Sequence, residues 1–589
     1  MRIVSGTITN GVTLAASDSP VLIGGVVTND GTGATVGVYG GSGIYGDIRN
    51  FGTVGDTGTF IGIELTAAGT IVNGSPLAGD ALITGNSYGV KLLSDATLSN
   101  FGTITSAFAG ARIEGGGRLT NSSGGLISGG VAEGVSFDET ATVVNDGSIF
   151  SASFIGVDMV GGGRVVNGAS AITESTVSGS QNGVSFVTGV ATLSNFGTIT
   201  STASNGSAVQ AGSGITSFRV TNGAAASNAA LISGVTGVVD SAGSGTITNF
   251  GTILGTGVSG EGIKLSGGVV ANGSAASTKA RIQGHFLGVY LSAAGRITNF
   301  GTIAGGGGAI LLTAGGTIVN GGRTDPAATI GTGSDGIDTF GTVAATVTNF
   351  GTISGTHSAI SFGEANDVLT VAAGAKFVGA VSGGAGVDTV TFTGGGTLAI
   401  AKFSGFEHLV LSATSRDALT LTSANFAGVT AATIIVSGGA PGDTLNAGSL
   451  GSGSMLVYQG GSGADIITAG KSMTITAAGG ANELIFKTAG NTDTLTDFAA
   501  SASNEIVFGN AVFDLGLSGA SGTPKPLPAN LFAANKTGAC TTTTQRFAYD
   551  TNNGKLFFDK DGSGSASHQL VATLTGAPHL AAADLFYIS

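Results

Sequence analysis

Ile247-Thr248-Asn249-Phe250-Gly251-Thr252-Ile253 returns as Ile297-Thr298-Asn299-Phe300-Gly301-Thr302-Ile303 and again as Val347-Thr348-Asn349-Phe350-Gly351-Thr352-Ile353, the copies 50 residues apart. Asn-Gly pairs at Asn272 and Asn320 divide each interval, so two shorter periods make one long unit. Followed towards the N-terminus, Asn stands in a similar setting at Asn10, Asn29, Asn50, Asn73, Asn100, Asn121, Asn145, Asn167, Asn195 and Asn222. The mean interval over the whole series is about 24 residues, and an internal repeat of this length is the mark of a stacked architecture.

Each unit also holds a second short apolar segment, such as Gly89-Val90-Lys91-Leu92, Gly262-Ile263-Lys264-Leu265 or Gly288-Val289-Tyr290-Leu291. Apolar residues alternate with mostly polar ones, the two-residue period of a strand with one buried face. Glycine clusters separate the segments, as turns require. Strand, turn, strand, turn at a steady period predicts an all-β fold, a right-handed parallel β-solenoid (β-helix), with about 15 coils over residues 1–350. Stacking places equivalent asparagines one strand spacing apart, about 4.8 Å. An amide carries donors and acceptors, so an asparagine ladder between coils is expected. Phe of the Asn-Phe-Gly copies is expected in the core or at a corner, and the glycine after Asn, or one place later, at positive φ.

The composition agrees with this reading. Of 589 residues 107 are Gly, only 8 are Pro and one is Cys, at Cys540. Glycine without a three-residue period excludes collagen, and a 41% apolar fraction with 10% charged residues excludes a disordered chain. A single cysteine excludes a disulfide framework or a cysteine-based zinc cluster. A net charge of −13 argues against nucleic acid as a partner and suits a protein that holds hard cations. No apolar run is long enough for a membrane span. Met1-Arg2-Ile3-Val4-Ser5-Gly6-Thr7 lacks a signal-peptide pattern, so an export address is expected elsewhere.

Beyond Ile353 a different glycine pattern appears. Gly383-Gly384-Ala385-Gly386-Val387-Asp388-Thr389-Val390-Thr391 follows Gly-Gly-x-Gly-x-Asp-x-apolar-x, and so does Gly460-Gly461-Ser462-Gly463-Ala464-Asp465-Ile466-Ile467-Thr468. A third copy ends at Asp443 with Pro441 in place of its third glycine, and a weaker one ends at Asp367. Asp367 and Asp388 are 21 residues apart and Asp443 and Asp465 are 22 apart, so each pair is expected on adjacent coils. Glycines let backbone carbonyls converge and Asp adds charge, which suits a hard cation that wants several oxygens.

These nonapeptides resemble those of the RTX family, calcium-binding β-rolls of proteins exported by type I secretion. The resemblance covers residues 360–589, although here the nonapeptides are scattered and not in tandem. It implies Ca²⁺ at the glycine turns, with Asp367, Gly383, Gly384, Gly386, Asp388, Asp443, Gly460, Gly461, Gly463 and Asp465 as metal-site residues. Asp493-Thr494-Leu495-Thr496-Asp497-Phe498 and the stretch from Arg546 to Gly564 resemble the segment that closes such regions, and Asp559 and Asp561 are a further candidate Ca²⁺ pair. Asp584-Leu585-Phe586-Tyr587-Ile588-Ser589 resembles an uncleaved C-terminal secretion signal. Residues 1–350 resemble instead the β-helical passengers of autotransporters and surface adhesins.

The expected organisation is a β-helix at 1–350, a calcium-binding β-roll-like solenoid at 351–515 and a small C-terminal β cap with its secretion signal at 516–589. The five histidines are dispersed, no zinc motif is present, and Arg and Lys are too few for a polyuronate-binding groove, so no enzyme is expected. The whole reads as an extracellular or cell-surface protein of a Gram-negative bacterium. It is expected to be structural and calcium-dependent and to assemble head-to-tail through the solenoid ends into a homopolymer, a filament or a layer. The type I secretion apparatus is an implied partner. The alternative is a monomeric adhesin that binds cell-surface glycan, and a polysaccharide-modifying enzyme is a weaker one.

Overall fold

The structure, a computed structural model, describes all residues except 34, 57, 430–432, 499–503 and 520. The chain is all-β, with only short 3₁₀ turns such as Ala16–Asp18 and Ser423–Phe426 among the described residues. It divides into two compact units: Met1–Asp338 with Thr352–Thr356, and Thr339–Gly351 with His357–Ser589. Both are parallel β-solenoids.

In the first unit one coil is built from three strands, not two. Gly69–Asn73, Leu82–Gly85 and Tyr88–Leu92 make one turn, and Ala96–Asn100 begins the next. The short middle strand is the Thr-Ile segment that follows Phe-Gly in the repeat; no turn signal sets it apart in the sequence. Each strand pairs in parallel with its counterpart one coil away, Ile71 beside Leu98, Ile83 beside Ile104 and Val90 beside Ala111. All these side chains face inward and are buried. A buried Val, Leu or Ile contributes about 1.5–3 kcal/mol, and in this geometry it does so only when its neighbouring coils are present.

The asparagines line the interior of one corner. From Asn50 to Asn320 each side chain donates through Nδ2 to Oδ1 of the next, at 2.7–2.8 Å, through Asn73, Asn100, Asn121, Asn145, Asn167, Asn195, Asn222, Asn249, Asn272 and Asn299. All are fully buried. The same amide also donates to main-chain carbonyls, as Asn100 does to Gly102 and Leu126. Asn10 and Asn29 do not belong to this column. Ile23 pairs with Asn50 and Val4 pairs with Ile23, whereas Asn10 and Asn29 face each other in an isolated bridge after the middle strands.

The two kinds of copy differ at the turn. After Asn73, Asn167, Asn222, Asn272 and Asn320, glycine takes a positive φ near 80° and opens a small loop closed by an isolated bridge, such as Ser75–Ala78. After Asn50, Asn100, Asn195, Asn249, Asn299 and Asn349 Phe stands at the corner, half-buried outside the core, with Phe51 exposed, whereas Ser122 and Asp146 follow Asn121 and Asn145. The glycine that follows Phe is not at positive φ. A side chain at Gly102 would strike the Ala81 carbonyl of the adjoining coil, so close approach is what requires glycine there.

The second unit has two long strand stacks, beside a short parallel pairing of Lys376–Ser382 with Phe403–Ser404. One runs Val368–Val371, Thr389–Phe392, His408–Val410, Thr433–Ser437, Met455–Gln459, Met473–Thr476 and Asp493–Leu495. The other runs Gly396–Thr397, Asp417–Thr420, Thr444–Asn446, Ile466–Thr468, Glu483–Phe486 and Glu505–Gly509. C-terminal strands continue both: Gln569–Leu574 pairs in parallel with Asp493–Leu495, and Leu585–Ile588 with Glu505–Gly509. Antiparallel strands then cover these last rungs, Lys555–Phe558 on the first and Lys525–Pro526 on the second. Residues 516–589, expected as a small C-terminal β cap, supply these strands. A buried cluster of Phe508, Phe513, Phe547 and Phe558 fills this end, Phe508 and Phe547 stacked at 3.8 Å.

Candidate functional site

In the second unit every aspartate of the four Gly-Asp copies stands just before a strand and points inward. Asp367, Asp388, Asp443 and Asp465 are at most 1% exposed. Each accepts a hydrogen bond from the main chain of a neighbouring coil. The Ala345 N–H donates to Asp367 Oδ1 at 2.6 Å, the Asp367 N–H to Asp388 Oδ1 at 2.7 Å, and the Asp388 N–H to Glu407 Oε2 at 2.8 Å. A second column is longer and ends where the Asn482 N–H donates to Asn504 Oδ1 at 3.2 Å. The Asp417 N–H donates to Asp443 Oδ1 at 2.9 Å, the Asp443 N–H to Asp465 Oδ1 at 2.7 Å, and the Asp465 N–H to Asn482 Oδ1 at 2.7 Å.

The expected pairs are therefore neighbours on adjacent coils, but they lie on different strand stacks, Asp388 before Thr389 of the first and Asp465 before Ile466 of the second. Glu407, Asp417, Asn482 and Asn504 complete the columns and carry no glycine signature. Their offsets from the recognised aspartates, 19 for Glu407, 26 for Asp417 and 17 for Asn482, are too uneven for a spacing rule to find. Asp493 is a further fully buried carboxylate of the same kind and accepts from the Met473 N–H at 2.7 Å.

One carboxylate oxygen is used in this way and the other is not. Asp367 Oδ2, Asp388 Oδ2, Asp465 Oδ2, Asp493 Oδ2 and Asp417 Oδ1 are buried without a well-formed hydrogen bond, and the Gly363 N–H, the Tyr458 hydroxyl and the Asn491 amide are the polar groups nearest Asp367, Asp465 and Asp493. Asp443 differs, because its Oδ2 accepts from the Gly439 N–H at 2.7 Å. Burial pushes the Asp388 carboxyl up to about 7, and the charges of Asp367 and Glu407 add to that. Burial likewise raises Asp493 to about 7 and raises Asp367, Asp417 and Asp465. The Tyr458 hydroxyl faces Asp465, and burial first, then the Asp465 charge, pushes its pKa upward.

The glycines bring carbonyls to the same places. A side chain at Gly383 would meet both Asp388 Oδ2 and the Gly405 carbonyl, and one at Gly460 would meet Asp465 Oδ2 and the Ala477 carbonyl. Gly384 and Gly386, at φ +91° and +125°, lie against the carbonyls of Gly363 and Ala365, while Gly461 and Gly463 lie against those of Gly439 and Ala440. Among the described residues no three His, Cys, Asp or Glu side chains converge as a ready-made metal cluster. A cation at these turns would thus be held by one unpartnered carboxylate oxygen and main-chain carbonyls, a set that fits a hard ion such as Ca²⁺ and no soft one.

Asp559 and Asp561 come together in the turn after Lys555–Phe558, away from the glycine turns. The Asp561 N–H donates to Asp559 Oδ1 at 3.3 Å, and the Ala566 N–H donates to Asp561 Oδ2 at 3.0 Å. Burial raises Asp559, whereas main-chain hydrogen bonding, chiefly from Ala566, lowers Asp561. Their charges add to the effect of burial on the Cys540 thiol, which is pushed up to about 11.

Compared with known proteins, the chain matches no protein-family model, no curated protein and no solved structure. No helix among the described residues is long and apolar enough to cross a membrane.

Proposed function

We propose that this is a calcium-dependent structural protein of the bacterial exterior, exported by type I secretion and able to assemble through its solenoid ends. One observation carries the reading: buried aspartates of the second unit stack coil on coil, and in Asp367, Asp388, Asp417 and Asp465 one oxygen is bonded to a main-chain N–H while the other makes no well-formed hydrogen bond. A buried carboxylate in that state needs a proton or a cation. Two columns of them beside glycine-turn carbonyls favour a divalent ion that neutralises neighbouring coils together. In a cytoplasm poor in Ca²⁺ these columns resist stacking, and outside the cell Ca²⁺ drives it, so folding follows export.

The assembly part rests on the first rung. Arg2–Val4 pairs with Val21–Ile23 and, among the described residues, with no strand on its other edge, where Ile3 is exposed. An open edge of this kind accepts a strand of a second copy. Because antiparallel strands cover the last rungs, a head-to-tail contact sets this edge against those strands.

The test is folding and size of the full chain in chelator and in millimolar Ca²⁺, followed by circular dichroism and light scattering, with Asp388→Asn/Asp465→Asn beside the wild type. Ca²⁺-induced β-structure in the wild type, with a much weaker response in the variant, supports the calcium reading. Identical folding without Ca²⁺ overturns it. A monodisperse monomer in Ca²⁺ overturns the assembly part alone.

A further inference from the structure

The third residue before each ladder asparagine faces outward, and in the first unit these residues form one continuous column. Register places Arg118 beside Thr142, Thr142 beside Arg164, Arg164 beside Thr192 and Thr192 beside Arg219. Arg296 follows three rungs beyond Arg219, after Thr246 and Val269. The four arginines are exposed. None of them belongs to an ion pair among the described residues, where the ion-paired arginines are Arg2, Arg49 and Arg112. From Arg118 to Thr317 neither this column nor the parallel outward one beside the asparagines contains a carboxylate or an aromatic residue. In a chain of net charge −13 this is a cationic strip, flanked on its asparagine side by Thr120, Val144, Val166, Ser194 and Thr221.

The spacing is also informative. Arg118, Arg164 and Arg219 recur on alternate rungs, about 9.6 Å apart at two strand spacings. Guanidinium groups on adjacent rungs would repel strongly. At alternate rungs the repulsion is largely screened, and each planar fork is free to take a carboxylate through two parallel hydrogen bonds. An extended 1,4-linked uronate chain presents carboxylates on one edge at every second sugar, an interval close to two strand spacings, about 10 Å. The intervening Thr142 and Thr192 hydroxyls suit its sugar hydroxyls. Single-stranded nucleic acid is a poorer match, because the strip offers no aromatic ring for base stacking.

We infer that this face of the first unit is a binding strip for an acidic polysaccharide of the polyuronate class, lying along the stack with its carboxylates on Arg118, Arg164 and Arg219. Arginines too few for a groove when counted along the sequence suffice when the coil lines them up. The inference does not rest on the calcium reading, which concerns the second unit alone.

The test uses the full chain in the same buffer throughout, with immobilised short polymannuronate, neutral dextran, poly-glutamate and single-stranded DNA as probes. The expected result is retention on polymannuronate only, weakening as NaCl rises. Arg118→Gln/Arg164→Gln/Arg219→Gln loses about tenfold or more in affinity, and the Arg→Lys triple recovers part of it. Lys376→Gln/Lys402→Gln/Lys536→Gln, the same charge change made in the second unit, binds as the wild type does. Circular dichroism of each variant confirms the fold. Equal binding by the arginine triple, an equal loss in the lysine triple, or equal retention on poly-glutamate, DNA or dextran overturns the inference.

Discussion

Asn195 and Asn222 are 27 residues apart in sequence, yet Asn195 Nδ2 donates to Asn222 Oδ1 at 2.8 Å, and Asn222 passes the same bond on to Asn249. Each link closes one coil on the next. Because the amide supplies donor and acceptor at once, the chain of bonds continues without an unpaired group at any rung.

Replacing Asn222 interrupts two links. Asn222→Ala is expected to cost roughly 2–4 kcal/mol, since buried donors and acceptors left unpaired cost about 1–3 kcal/mol each. Asn222→Asp keeps the acceptor but loses the donors while ionised. Its buried carboxyl titrates upward, so the stability it lacks at pH 8 is partly regained at pH 4.5. Urea unfolding at the two pH values separates the variants, and an equal loss at both pH values for Asp contradicts the ladder.

Asp388 and Asp493 set the pH response of the second unit without metal. Both carboxyls are raised from 3.8 to about 7, so the folded state binds more protons than the unfolded one between these values. In chelator, stability is fully present below about pH 4, declines as pH rises towards 7, and then levels off. The decline amounts to about 4 kcal/mol for each of the two carboxyls. Millimolar Ca²⁺ is expected to remove or reverse this slope, which denaturation at pH 5 and pH 8 measures directly.

Asp158 offers the same experiment in the first unit. It is 8% exposed, and burial raises its carboxyl to about 6. Asp158→Asn is expected to be neutral near pH 4 and to stabilise at pH 8 by about 3 kcal/mol, because a raised carboxyl loses stability as pH climbs from 4 to 6. Ca²⁺ leaves this difference unchanged. A destabilised variant at pH 8 assigns the ionised carboxylate a partner that burial does not reveal.

Two glycines test close approach against backbone freedom. At Gly110 a side chain would press on the Gly134 carbonyl and Ile127 although φ is not positive, whereas Gly384 combines φ +91° with contact to the Gly363 carbonyl. Both Gly→Ala changes are expected to lower the unfolding midpoint, with Gly384→Ala also weakening any response to Ca²⁺. Gly124 has φ +81° and open space, so Gly124→Ala isolates the strain of φ alone and is expected to cost less.

The stacked architecture was legible in the sequence because its signals are local. Alternation within strands, glycine at turns and a recurring asparagine are each read within a few residues. The ladder that joins Asn249 and Asn299 to the coils beside them followed from the repeat alone, as did the pairing of Asp388 with Asp367 and of Asp465 with Asp443 on adjacent coils. Three features were not legible. The middle strand of each coil has no turn signal to separate it. Asn10 and Asn29 share the motif but not the column. Glu407, Asp417 and Asn482 join the carboxylate columns at offsets that no repeat predicts.

The sequence by itself determined that the chain winds in parallel coils and which residue types meet at the corners, since any solenoid with this period stacks like upon like. Only the tertiary structure decided the register. Loops of unequal length absorb insertions between rungs, so distance along the chain does not say which residues become neighbours; the hydrogen bonds between strands do. That register isolates one oxygen of Asp388 and of Asp465 inside the second unit, and it draws Arg118, Arg164 and Arg219 into a single line on the first.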